Sequence, residues 1–261
     1  FMSCHYVILF SHHNQPMSDP TRRLKEYGRD LGSIPISRIP KEMEKVCFIC
    51  VNAYSSYRLN LGTGPINDAV SFAKCLKQYD YEIFFQNNPH SRNFLKYLDE
   101  FFKNTTNELV LYYVGHGTSL LDLDEDSDPT KDAFIFDDGK IAQDTLVDHI
   151  SQYKNPNQKL VLVNDSCYPG SIWDIKDAGS FPPNIMSLCA SADSQTAKLQ
   201  TLVNAQEAGI FTHNMTKILK KNPSMTPREL QAQMKPILRK YQQTFSIGSS
   251  TPEILDEPLF E

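Results

Sequence analysis

Short apolar runs of β-branched and aromatic residues alternate along this chain with longer segments of helical periodicity. Predicted strands cover residues 45–52, 81–86, 108–114, 159–164 and 185–190. Predicted helices cover residues 66–78, 91–103, 143–153, 209–220 and 226–241, and a short strand pair lies near 133–142. This alternation predicts an α/β fold, because parallel strands need crossover connections. We expect a mostly parallel sheet of about six main strands, flanked by helices on both faces.

The two ends of the chain lack this alternation. Residues 1–44 mix Pro, Ser, Arg and Lys with little periodicity, which predicts an N-terminal arm or pro-segment that packs along the domain. Residues 45–261 are predicted to form a single domain around one core. The acidic, proline-bearing tail that starts at Phe245 has room for one short added strand.

Charge and hydropathy exclude several classes of partner. The net charge of −5 and the lack of clustered Lys and Arg argue against nucleic-acid binding. No apolar run approaches the ~18 residues that span a bilayer, and the first residues lack the basic start of a signal peptide. We therefore expect a cytoplasmic protein that binds neither nucleic acids nor membranes.

The cysteines are predicted to be reduced. Four of the six lie in or beside apolar segments without metal-ligand spacing, which is typical of buried free thiols in a reducing compartment. Cys47 and Cys50 have the spacing of a redox pair. However, they lie inside a predicted strand and not at a helix start, which argues against redox chemistry there.

Two predicted strands end in residues that can carry chemistry. Gly115-His116-Gly117 closes the strand 108–114, and Asp165-Ser166-Cys167 closes the strand 159–164. Functional groups of open α/β sheets gather at the carboxyl ends of strands. His116 can serve as the base that activates a Cys167 thiolate, and the backbone N–H groups of Gly117 and Cys167 can form an oxyanion hole. Taken singly, His116 reads as a turn histidine and Cys167 as a buried apolar residue.

These two segments resemble the caspase-like cysteine peptidases and, within them, the metacaspases. Residues 113–117, Tyr-Val-Gly-His-Gly, are similar to the family's Tyr-Ser-Gly-His-Gly, and residues 165–171 resemble its Asp-x-Cys-His-Ser-Gly-Ser. The separation of 51 positions from His116 to Cys167 also agrees with the spacing of about 50 in caspase-type enzymes. Tyr168 and Pro169 depart from the family's His and Ser.

Further blocks extend the resemblance over residues 45 to about 220. They are Val51–Tyr54 with Gly64–Ala69, then Asp193–Ala197, then Gly209–Thr212. The arrangement looks closest to type I metacaspases. It implies a caspase-like fold and a monomeric cysteine endopeptidase, with His116 and Cys167 as the catalytic dyad. Because a constantly active protease is hazardous in a cytosol and the basic arm could cover an acidic cleft, we also expect a zymogen that cleaves itself.

The resemblance also implies a substrate preference. Asp165 stands two residues before Cys167, so the strand period puts both side chains on one face. In metacaspases the matching Asp and the Asp of the Asn-Asp-Ala block, here Asp68, line the pocket for the residue before the cut bond (P1). Cleavage of polypeptides after Arg or Lys is implied, through charge-assisted hydrogen bonds. Alternatively, Asp68 is a helix N-terminal residue behind an Asn67 cap, and Asp165 is a turn residue.

Calcium binding is expected to be weak. Residues 121–128 hold five acids in eight positions but lack the EF-hand pattern, and such runs are usually solvated loops. Of the four calcium positions that many metacaspases use, Asp144 and Asp174 match two, whereas Gln143 and Lys131 replace the others. We expect Lys131 to pair with Asp144 or Asp174, so that the chemistry requires no cofactor.

Other functions remain open from the residues alone. A catalytically silent caspase-like scaffold or binding protein would keep the fold, with Tyr168 and Pro169 blocking access to Cys167. A legumain-like or separase-like protease is disfavoured by residues 67–69, Asn-Asp-Ala. If the chain cuts itself, the candidate sites are Arg22, Arg23, Arg38, Lys41, Lys176 and Lys198.

Overall fold

The computed structural model describes residues 19–117, 133–166, 181–192 and 209–261. Within them lies a seven-stranded sheet of order β1-β3-β2-β4-β7-β8-β9 and a two-stranded hairpin, β5-β6. The strands are β1 Arg29–Asp30, β2 Met43–Val51, β3 Glu82–Asn87, β4 Thr105–Gly115, β5 Ala133–Phe136, β6 Gly139–Ala142, β7 Lys159–Ser166, β8 Ile185–Ala192 and β9 Gln243–Ser249.

The sheet confirms the predicted α/β fold. All neighbouring strands run parallel except β9, which pairs antiparallel with β8 and forms one edge. This last strand is the addition expected in the tail, although it begins two residues earlier, at Gln243. Strand β7 continues to Ser166, two residues beyond the predicted end, because Asp165 and Ser166 pair with Val114 and Gly115 of β4.

Helices cover both faces of the sheet. They are α1 Gly64–Lys77, α2 Ser91–Asn104, α3 Gln143–Tyr153, α4 Ile210–Lys221 and α5 Pro227–Arg239. Apolar residues of α1, α4 and α5 pack on one face, and those of α2 and α3 pack on the other. Among the described residues, no helix is long and apolar enough to cross a membrane.

Two aromatic contacts show how each face is filled. On the first face, the ring of Phe72 stacks on Tyr112 with centroids 4.2 Å apart. On the second, Phe48 contacts Phe101 at 5.0 Å. Cys47 and Cys50 are buried free thiols in the cores of opposite faces, so the spacing that resembles a redox pair does not form one.

Helix α1 begins earlier than the sequence suggested, and this corrects one reading of Asp68. The helix starts at Gly64 with Pro65 in its first turn, a favoured position for proline. Asn67 is therefore inside the helix and is not its N-cap. The Oδ1 atom of Asn67 instead accepts a hydrogen bond of 3.1 Å from Nη1 of Arg23.

The described part of the N-terminal segment, from residue 19 to residue 44, packs on the rest of the described chain. Leu24, Leu31 and Ile39 are buried, and β1 pairs with β3 to extend the sheet. The hydroxyl of Tyr97 in α2 also donates to the carbonyl of Ile34, at 2.5 Å. The arm thus forms part of the wall of the domain, and the boundary at residue 44 stays a prediction.

The β5-β6 hairpin is fastened at its turn. Asp137 accepts hydrogen bonds from the backbone N–H and the hydroxyl of Ser55, both at 3.0 Å. Asp138 accepts from the N–H and hydroxyl of Ser91 at the start of α2, both at 2.9 Å. These contacts join the hairpin to the segment after β2 and to α2, so its inner strand β5 lies at a fixed place beside the end of β4.

Candidate active site

The register of β4 and β7 aligns the residues that directly precede the two predicted catalytic positions. Gly115 pairs with Ser166 across these parallel neighbours. His116 directly follows Gly115, and Cys167 directly follows Ser166 in the sequence. Cys167 itself lies outside the described residues. His116 and Gly117 are both described, and both are buried at the carboxyl end of β4.

The imidazole of His116 is buried and held by one nitrogen. Only 1% of the residue is exposed, and Nε2 lies 2.7 Å from the carbonyl oxygen of Leu59. A carbonyl can only accept, so Nε2 carries the proton and donates it. Among the residues that the structure describes, no group lies within hydrogen-bond distance of Nδ1. The unshared electron pair of Nδ1 is therefore free to take a proton.

Burial sets the charge of this ring. It lowers the pKa of His116 below its usual value of 6.5, while the hydrogen bond to Leu59 opposes the effect. The imidazole is thus mainly neutral at pH 7. A neutral imidazole with one unprotonated nitrogen is the form that acts as a general base.

Two tyrosines hold the backbone of His116. The ring of Tyr54 stacks on the imidazole, with centroids 4.9 Å apart, and its hydroxyl accepts the backbone N–H of His116 at 2.7 Å. The hydroxyl of Tyr113 donates to the carbonyl of His116 at 2.6 Å. Neither role was predicted, although both tyrosines lie inside the motif blocks that the sequence singles out.

The two predicted substrate-binding carboxylates lie beside each other, away from water. Asp68 and Asp165 are 5% and 6% exposed. The Thr212 hydroxyl donates to Oδ2 of Asp165 at 2.6 Å, and the hydroxyl of Tyr112 in turn donates to Thr212 at 2.7 Å. Within the described part of the chain, Oδ2 of Asp68 has no hydrogen-bond partner.

This proximity changes the proton affinity of both carboxyls. Burial and the neighbouring charge of Asp165 raise the pKa of Asp68. Burial also raises the pKa of Asp165, against the lowering effect of its bond from Thr212. Two carboxylates in one dry site cannot both ionise cheaply, so the pair holds a proton.

Thr212 and Tyr112 are site residues that the sequence reasoning did not assign. The block Gly209–Thr212 was the available signal, because it carries part of the resemblance. Gly209 shows why the block matters: a Cβ atom there would lie 3.1 Å from Oδ1 of Asp68. The start of α4 therefore approaches the carboxyl pair closely and brings Thr212 onto Asp165.

The predicted calcium positions are described only in part. Asp144 is exposed in the first turn of α3, next to Gln143. Asp174, Lys131 and the acidic segment 121–128 lie outside the described residues, so the pairing expected for Lys131 stays a prediction. Within residues 19–117, 133–166, 181–192 and 209–261, no three His, Cys, Asp or Glu side chains are grouped closely enough to hold a metal ion.

Comparisons with known proteins agree with this architecture. A family model described as "Caspase domain" matches residues 43–258. A solved protein of Geobacter sulfurreducens aligns with a TM-score of 0.56 and 14% identity, over 82% of this chain and 97% of that one. The Drosophila initiator caspase Dronc aligns with a TM-score of 0.55 and 15% identity, over 78% and 79%. No curated protein sequence matches. The match to the family model and the two solved structures confirm a caspase-like fold.

The carboxyl pair predicts how stability changes with pH. Because folding raises both pKa values, the pair favours the folded state fully below a carboxyl's unfolded pKa of about 4, and this contribution is lost as pH rises through the raised values. The substitution Asp68→Asn removes one charge at nearly constant volume. At pH 9 we expect the free energy of unfolding of this variant to exceed that of the native chain by at least about 1 kcal/mol. A tenfold difference in proton affinity is worth ~1.4 kcal/mol.

Urea denaturation from pH 4 to pH 9 measures this difference. The matched control is Asp148→Asn, which removes an exposed carboxylate from α3. If Asp68→Asn lowered stability at pH 9 as much as at pH 5, the two carboxyls would not share a proton.

Proposed function

Because the chain belongs to the caspase-domain family of cysteine peptidases, we propose that it cuts polypeptides after Arg or Lys through a Cys167–His116 dyad. The observation that carries the proposal is the state of His116, a buried ring with Nε2 bonded to Leu59 and Nδ1 unpaired among the described residues. The register supports it, because His116 and Cys167 follow paired residues of adjacent strands.

The chemistry follows from these atoms. Nδ1 of His116 takes the proton of the Cys167 thiol, and the thiolate attacks the carbonyl carbon before the scissile bond. The N–H groups of Gly117 and Cys167 would stabilise the oxyanion. When the C–N bond breaks, Nδ1 returns the proton to the leaving amine. Water then attacks the thioester while the ring accepts its proton, which releases the acid and restores the thiol.

The preference for a basic P1 residue rests on Asp68 and Asp165. Buried carboxyls of raised pKa are costly unless they serve a ligand, and Oδ2 of Asp68 has no hydrogen-bond partner among the described residues. A guanidinium or ammonium group would displace their shared proton and form charge-assisted hydrogen bonds. An aspartate side chain would face like charge and would be rejected.

Peptide cleavage tests this specificity. Fluorogenic peptides that differ only in P1 should be cut after Arg and Lys and not after Asp. The variant Asp165→Asn should lose about 10- to 100-fold in kcat/KM on the Arg peptide, since a hydrogen bond to a charged group is worth ~1.5–3 kcal/mol. Asp148→Asn, exposed in α3, is the control for charge alone.

Three results separate the alternatives. Cleavage after Asp would overturn the pocket assignment, and activity in Cys167→Ala would overturn the nucleophile. A catalytically silent scaffold would neither cut any of these peptides nor react at Cys167 with an arginyl active-site-directed thiol reagent.

We also propose that the activity needs no calcium. The donor set is a poor match for this ion, which prefers six to eight oxygen ligands. Asp144 is exposed beside the neutral Gln143, and Lys131 brings a positive charge. A calcium chelator should leave kcat/KM on the Arg peptide within about twofold of the untreated protein. Loss of activity that calcium alone restores would contradict this.

Self-processing is part of the proposal. Arg22, Arg23, Arg38 and Lys41 are exposed in the arm, and Arg23 is held at α1 by Asn67, next to Asp68. Incubation of the purified chain should give fragments that end after one of these residues. The same incubation of Cys167→Ala should give none, and identical fragments from this variant would indicate a contaminating protease.

A further inference from the structure

Two tyrosine hydroxyls stand between the backbone of His116 and that of Ile135 in β5. The Tyr54 hydroxyl accepts the N–H of His116 at 2.7 Å, and the Tyr113 hydroxyl donates to the carbonyl of His116 at 2.6 Å. On the hairpin side, the N–H of Ile135 is shared between the Tyr113 hydroxyl at 3.2 Å and the carbonyl oxygen of His116 at 3.4 Å. The carbonyl of Ile135 lies 3.0 Å from each hydroxyl.

Counting protons resolves these contacts into a closed ring. Each hydroxyl has one proton to donate. The proton of Tyr113 goes to the carbonyl of His116, its shortest contact, so the proton of Tyr54 goes to the carbonyl of Ile135. The N–H of His116 then donates to Tyr54. The N–H of Ile135 donates to Tyr113, its nearer acceptor, and at a longer distance to the carbonyl of His116. Four donors and acceptors on two backbone segments are satisfied through two side chains.

Neighbouring residues make room for this ring. A Cβ atom on Gly115 would lie 2.6 Å from the hydroxyl oxygen of Tyr54 and 2.9 Å from that of Tyr113. Only glycine at position 115 therefore leaves room for the two tyrosine hydroxyls. Tyr54 adopts a left-handed φ of 65°, and the side chain of Asn88 accepts the N–H groups of Ala53 and Tyr54, each at 2.9 Å. Such a conformation persists only where its surroundings hold it.

We infer that Tyr54 and Tyr113 are positioning residues for His116, which they fix to the β5-β6 hairpin through this hydrogen-bonded ring. The inference rests on the proposed function of His116 as the base. Both peptide groups that flank the His116 Cα atom are held by hydrogen bonds, and the carbonyl of Leu59 holds the imidazole at Nε2. Nδ1 is thereby aimed by its backbone as well as by its side chain, which matters because small misplacements of a catalytic group reduce rates steeply.

The hydrogen-bonded ring keeps its Tyr113 proton at neutral pH. Burial raises the pKa of Tyr113 well above its usual value, and the neighbouring Tyr54 raises it further. The Tyr113 hydroxyl therefore remains a proton donor at neutral pH, where the imidazole is mainly uncharged. The hairpin end of the ring is fixed independently, because Asp137 and Asp138 fasten its turn to Ser55 and Ser91.

Removing one hydroxyl at a time tests the inference. Tyr54→Phe and Tyr113→Phe keep the aromatic rings, including the ring that stacks on His116. The matched control is Tyr97→Phe, which removes the hydroxyl of another buried tyrosine that donates to a backbone carbonyl, that of Ile34. The readouts are kcat and KM on the Arg peptide, and the pH profile of Cys167 alkylation by iodoacetamide, located by mass spectrometry. His116→Ala is the reference for a lost base.

Each positioning variant should lower kcat about 10- to 100-fold with KM changed less than twofold. Alkylation of Cys167 should slow at pH 7 and its profile should move to higher pH, toward that of His116→Ala. Tyr97→Phe should match the native chain in both. Should the two positioning variants behave like Tyr97→Phe while His116→Ala is slow, the hydroxyls serve stability only and the inference fails.

Two further results separate the inference from its premise. If His116→Ala alkylates as fast as the native chain, His116 does not activate Cys167, and the proposed function fails together with the inference. The double variant Tyr54→Phe/Tyr113→Phe tests the ring itself. Its kcat should be about as low as that of the less active single variant, because either substitution alone opens the hydrogen-bonded ring. If the kcat losses of the two single variants multiply in the double variant, the two hydroxyls act independently, and the hydrogen-bonded ring is contradicted.

Discussion

The site depends on one hydrogen bond, from Nε2 of His116 to the carbonyl of Leu59. It decides which nitrogen of a buried imidazole keeps its proton and which is left to react. Burial alone would leave the ring neutral but would not choose the tautomer. The segment after β2, the end of β4 and the β5-β6 hairpin meet at this residue, and each supplies a backbone or hydroxyl group that limits its movement.

The carboxyl pair complements this base. His116 is kept neutral by burial, whereas Asp68 and Asp165 are kept partly protonated by burial and by each other. Neither arrangement is the cheapest for a folded protein, and strained or perturbed groups cluster at functional sites. In the proposed reaction, the Cys167 thiol is the proton donor for Nδ1, and the basic P1 side chain of the substrate is the cation for the carboxyls.

Much of this architecture was predictable because its causes are local. Apolar runs that alternate with amphipathic segments specify a parallel sheet, and strand ends locate His116 and Asp165 at one edge of it. Helix α1 was placed less well, since its apolar periodicity begins only after Gly64 and Pro65 although proline is favoured in a first turn, and the Asn67 cap was wrong for that reason. The resemblance, and not periodicity, pointed to Asp68.

The parts that escaped prediction depend on distant segments. The carbonyl of Leu59 has no sequence signature, because every residue has one. Tyr54 and Tyr113 read as core aromatics, and their hydroxyls gain a role only when the hairpin places Ile135 beside them. Thr212 contacts Asp165 only because Gly209 lets α4 approach Asp68. Strand register and the close approach of α4 therefore decide the contacts of Leu59, of the two tyrosines and of Thr212.

The protonation of the His116 ring tests the central claim most directly. Nitrogen-15 NMR of histidine-labelled Cys167→Ala, compared with Cys167→Ala/His116→Gln to assign the signal among the chain's seven histidines, reports which ring nitrogen carries the proton. The account predicts a neutral ring at pH 7 with the proton on Nε2, Nδ1 bare, and a pKa below the usual value of about 6.5. A proton on Nδ1 at pH 8 would contradict it.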